Sequence, residues 1–88
     1  MTAVKTVGLS GSRRQSVVVK NTGSTNSLNV LIEFYVNDVL AAKFEDTVGP
    51  DNEPYWLDME YAFTTVVISV QDAVAGDHTT YEIGVVSA

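Results

Sequence analysis

Asp77 and His78 stand side by side near the end of the sequence, and His78 is the sole histidine of the 88-residue chain. A carboxylate beside an imidazole can serve as orienter and base in general acid–base chemistry. A nucleophilic triad would add an activated Ser or Thr and an oxyanion hole, and the spacing establishes neither. The competing reading is a loop histidine at the start of a strand. Acidic oxygens are a second resource: Asp46, Asp51, Asn52, Glu53 and Asp58 crowd one segment, and Asp72 and Asp77 flank another. Calcium takes roughly six to eight such ligands, although EF-hand spacing is absent. Tyr35, Tyr55, Trp56 and Tyr61 are a third, able in principle to form a platform for sugar rings. There is no cysteine, hence no thiolate site, and no Gly-x-Gly-x-x-Gly or phosphate-binding loop. No enzyme and no cofactor are expected from this set.

The elements that would carry these side chains are strands. Leu28, Val30, Ile32, Phe34 and Val36 alternate with Asn29, Leu31, Glu33, Tyr35 and Asn37. A period of two is the signature of a half-buried strand. Asn37-Asp38 suits a two-residue hairpin because both tolerate φ > 0. It leads into a strand over Val39–Glu45, with Leu40, Ala42 and Phe44 expected inward. Asp46 to Pro54, with Gly49, Pro50, Asp51 and Asn52, reads as a loop. Further strands are expected over Tyr55–Tyr61, Phe63–Val70 and Thr79–Val86, with Tyr55, Leu57, Met59 and Tyr61 on one face. A Val-rich strand over Gln15–Lys20 precedes them, and Val4–Leu9 is a first strand whose end, Gly8 to Ser12, can remain a mobile arm. No stretch shows a sustained helical period. Seven strands with regular turn signals describe one all-β domain, a single antiparallel β-sandwich, with residues 1–14 as N-terminal strand or basic arm and 15–88 as the sandwich.

A length of 88 residues allows one domain. At 45% hydrophobic and 18% charged residues the chain is too apolar for a disordered tail, and it has no run of roughly 18 apolar residues that would span a membrane as a helix. The net charge of −6 argues against a general nucleic-acid binder. Its distribution says more. Lys5, Arg13, Arg14 and Lys20 are the charged residues of the first 20, whereas the rest holds Lys43 and all 11 acids. This asymmetry permits attraction between copies, or a basic arm lying on an acidic partner. Met1 to Gln15 has no apolar core or cleavage site of a secretory signal, so synthesis in the cytoplasm is expected.

Val17-Val18-Val19-Lys20-Asn21-Thr22-Gly23 followed by Leu28–Asp38 resembles the opening of CARDB-like and related immunoglobulin-like modules. They carry a strand, an Asn-x-Gly turn and a long strand ending in an aromatic-aliphatic-Asn/Asp hairpin. The resemblance covers about residues 15–45 and implies an immunoglobulin-like sandwich used in adhesion, spacing or assembly. A cysteine-free acidic sandwich of this size is also similar to phage and virus capsid decoration (cement) proteins, an analogy at the level of fold.

The outward phase of the strands should be polar if that face meets only water. Here it includes Val18, Leu31, Tyr35, Trp56 and Val67. Apolar outward residues on adjacent strands favour an interface. Leu31, Tyr35, Trp56 and Val67 are therefore the expected interface anchors, with Arg13 and Arg14 contacting acidic groups of a partner. The function expected is a structural or assembly subunit in many copies, docked on itself or on a major capsid or filament protein. The expected place is the virion; the alternatives are an extracellular filament or adhesion array, and a calcium- or glycan-binding module.

Overall fold

The computed structural model describes residues 1–76 and 78–88. Among them seven strands form: β1 (Thr2–Gly8), β2 (Gln15–Asn21), β3 (Leu28–Val36), β4 (Val39–Val48), β5 (Glu53–Met59), β6 (Thr65–Asp72) and β7 (Tyr81–Ser87). All pair antiparallel, in one sheet ordered β1-β6-β3-β4 and another ordered β5-β2-β7. This is the expected all-β antiparallel sandwich of immunoglobulin-like type. The pairs β2–β5 and β3–β6 are those joining the second to the fifth and the third to the sixth strand of an immunoglobulin domain. The terminal strands trade places relative to that scheme: β1 borders β6, and β7 borders β2.

The alternating side chains read from the sequence supply the core. Val17 and Val19 of β2 face Leu28, Val30, Ile32 and Phe34 of β3 and Val66, Ile68 and Val70 of β6. Leu9 and Phe63 close one end, with Phe34 between Phe63 (ring centroids 4.7 Å apart) and Phe44 (6.3 Å, edge-on). Tyr55, Leu57 and Met59 of β5 and Ile83 and Val85 of β7 pack on this core from the three-stranded sheet.

Two expectations are corrected. Leu40 does not face inward. A bulge near Ala41 shifts the β3–β4 register between Phe34 and Tyr35, so Ala42 and Phe44 stay inward while Leu40 pairs with Tyr35 and is 46% exposed. One extra residue reverses the phase of everything before it. Tyr61 is not core either: β5 ends at Met59, and Tyr61 stacks on Phe63 from outside while 60% exposed. The Asn37-Asp38 hairpin forms with φ of 47° and 68°. The acidic loop turns on Asp51 and Asn52, with φ of 64° and 65°.

Candidate functional site

The outer face of the three-stranded sheet is built in rungs. Val18 sits between Trp56 of β5 and Gly84 of β7. On one side the next rung is Asp58, Ser16 and Val86; on the other it is Pro54, Lys20 and Glu82. Ser16 Oγ donates to Asp58 Oδ1 at 2.6 Å, and Lys20 Nζ lies 3.7 Å from Glu82 Oε1. A Cβ added at Gly84 would stand 3.1 Å from Val18 Cγ1, so Val18 leans into the space the glycine leaves. Trp56 and Val86 are each 67% exposed, and no segment among the described residues covers them. Beyond Ser16 the ladder continues through Arg14, which exchanges backbone hydrogen bonds with Ala88. Its guanidinium donates to Glu60 Oε1 at 2.8 Å. Arg13, Arg14, Glu60, Tyr61 and Ala88 surround a shallow depression at that end. The face thus has an apolar centre, Trp56, Val18 and Val86, with charged residues and the exposed Tyr61 at its rim.

The other expected anchors lie on the opposite outer surface. Leu31 pairs with Ser69 and Glu45, Val67 with Glu33 and Thr6, and Tyr35 with Thr65 and Leu40. These three are half-buried and interleaved with Glu33, Lys43 and Glu45. The structure thus brings Arg13, Arg14 and Trp56 to one side of the sandwich and Leu31, Tyr35 and Val67 to the other. Val86 escaped the sequence reading. Its signal was its position out of phase with Ile83 and Val85 in a strand whose inner face was already apolar.

No protein-family model matches this chain, and neither does any curated protein or solved structure. The faces themselves carry what can be said of function. The architecture is that of a small structural or interaction module.

The chemical candidates fare as follows. His78 is exposed, with Nδ1 3.7 Å from Asp72 Oδ2, while Asp72 Oδ1 accepts the Thr79 N–H at 2.9 Å. Asp77, the proposed orienter, lies outside the described residues. Among the described residues no group of three or more His, Cys, Asp or Glu side chains is placed to hold a metal ion. Several of the loop acids have local partners. Asp46 accepts the Thr47 N–H at 2.7 Å, Glu53 accepts that of Gly49, and Asp58 holds Ser16. Tyr35 and Trp56 belong to different sheets, so the aromatic platform is not assembled. Burial pushes the Tyr55 phenol above its usual pKa, and the Asp46 carboxylate pushes it further the same way.

Proposed function

We propose that this chain is a non-enzymatic assembly subunit that docks through the outer face of β5-β2-β7, with Trp56 as its anchor and Val18 and Val86 beside it. The observation that carries the reading is the 67% exposure of Trp56 next to an equally exposed Val86, on a sheet whose inner face is already covered. Burying an indole of this exposure contributes about 2 kcal/mol, and hot spots are enriched in tryptophan. Arg13 and Arg14 lie at the rim of this face. Their salt-sensitive attraction to acidic groups would guide approach more than it would hold the complex.

The setting we propose is the surface of a virion, with the chain as a decoration or minor capsid subunit present in many copies. Its size, its split charge and the use of antiparallel sandwiches in viral capsids support this by analogy of fold. A second setting, an extracellular filament or adhesion array, is favoured by the unpaired outer edge of β7. Trp56 is the only tryptophan, so its emission reports this face alone. Co-sedimentation with capsid shells lacking decoration, accompanied by a blue shift of Trp56 emission, is the expected result. A chain that stays monomeric in light scattering, leaves the shells bare and keeps solvent-exposed emission would remove the proposal.

A further inference from the structure

The strand pairings form a nested series. β3 pairs with β4, β2 with β5 and β1 with β6, each pair enclosing the last in sequence. β7 continues the series outward and has no counterpart. Extended by one strand, this nesting is the eight-stranded jelly roll of two Greek keys. The missing lane lies beside β7. The sheets meet at β4 and β5 on the far side, so β1, the fourth strand of its sheet, projects past β7 over an empty position. The burial of β1 agrees: every residue is exposed except Val7, which is half-buried.

The backbone of β7 is ready for that lane. Arg14 and Ala88 bond to each other in both directions, and antiparallel bonding alternates. Glu82, Gly84 and Val86 therefore bond to β2, while Tyr81, Ile83, Val85 and Ser87 turn their N–H and C=O groups to the open side. The other edges are guarded in the usual ways. Pro54 removes a donor from the free edge of β5, β4 carries Lys43, Glu45, Asp46 and a bulge, and β1 carries Lys5 and a bulge at Val4. β7 has neither proline nor bulge, and Glu82 is its one charged residue.

A second copy cannot extend the sheet by pairing its own β7 antiparallel to this one. A two-fold axis joining β7 to its mate would place β1 and the partner's β6 in the same lane of the other layer. The roof admits one strand with no second sheet above it. We propose that the β7 edge receives a single extended segment of a partner polypeptide, antiparallel to β7. Its alternate apolar side chains would face Tyr81, Ile83 and Val85 beneath β1, and a Lys or Arg on its outer face would lie beside Glu82. This is strand addition, in which the backbone supplies affinity and alternate side chains supply specificity. It does not depend on what covers Trp56.

The test titrates the intact protein with the heptapeptide acetyl-Thr-Val-Thr-Val-Lys-Val-Thr-amide and follows backbone amides by NMR. Binding should shift and slow the exchange of Tyr81, Ile83, Val85 and Ser87, sparing the intervening amides already bonded to β2. A version with proline at the central position should not bind. Glu82→Lys should weaken the peptide about fivefold at low salt, and Ile83→Pro, which loses an N–H pointing away from β2, should abolish binding. Trp56→Ala should bind the peptide normally, which separates this proposal from the docking face. No binding at millimolar peptide, or shifts confined to β6 because β1 is displaced, would overturn it. Should Ile83→Pro fail to fold, the alternating amide pattern in the unmodified protein decides the matter.

Discussion

Thr79 donates its hydroxyl to Asn21 Oδ1 at 2.9 Å, tying the approach to the last strand to the end of β2. The same oxygen accepts the Gly23 N–H at 2.9 Å, and Asn21 Nδ2 donates to the carbonyls of Asn26 (2.8 Å) and Val48 (3.1 Å). Asn21 is fully buried, and its amide serves four partners. Asn21→Ala would leave these groups unpaired in the interior, a loss of about 2–4 kcal/mol. Chemical denaturation should show it as a lower midpoint with an unchanged slope. Gly23→Ala should be damaging in the same place, because its Cβ would fall 2.0 Å from Thr79 Oγ1 and break the Thr79–Asn21 bond. Thr79→Ala, which removes the oxygen the new Cβ would strike, should cost less stability in the Gly23→Ala background than it does alone.

Phe34 is fully buried, between the rings of Phe44 and Phe63. Phe34→Ala should cost about 3–5 kcal/mol. Domains of this size have marginal stability, so the expected outcome is a chain without a cooperative thermal transition in calorimetry. Phe34→Leu, which keeps most of the volume, should retain the transition at a lower temperature.

Trp56 contributes little to its own fold. Trp56→Ala removes a cross-strand contact with Val18 and should change unfolding free energy by less than about 1 kcal/mol. Its effect should appear instead in light scattering and partner binding. Val86→Thr should act in the same direction, more weakly.

Tyr55 makes stability fall at high pH. Its folded pKa is raised above the usual 10, so the folded protein holds this proton more tightly than the unfolded chain. The resulting stability is complete below about pH 10 and is lost as pH rises through the folded pKa. Tyr55→Phe should flatten the decline of melting temperature above pH 10 and leave it nearly unchanged at pH 7. Asp46→Asn, which removes the second cause of the shift, should bring the decline closer to the usual tyrosine range.

Arg14 and Glu60 lie within 2.7 Å of each other, yet both side chains are about 70% exposed. Arg14→Ala should therefore leave the melting temperature within a degree or two. If the rim guides docking, the same change should slow association and reduce its salt dependence, measured as the on-rate across ionic strength.

Much of this molecule is legible residue by residue. The alternation from Leu28 to Val36 states that Ile32 is inside and Leu31 outside, because successive side chains of a strand point to opposite faces whatever the strand pairs with. Asn37-Asp38 announces its hairpin because the turn needs two positive φ angles. Leu40 was misplaced because a bulge leaves no residue-type signature at Ala41, and Tyr61 because a strand end depends on where its neighbour stops.

Local pattern alone thus determined that the chain is all-β, how its strands alternate and that both faces of some strands are apolar. Only the tertiary structure decided which sheet each strand joins. Any antiparallel neighbour can satisfy a strand's hydrogen bonds, so the choice rests on packing between residues far apart in sequence. That choice set Trp56 and Leu31 on opposite surfaces, and it left β7 with an open edge under the overhang of β1.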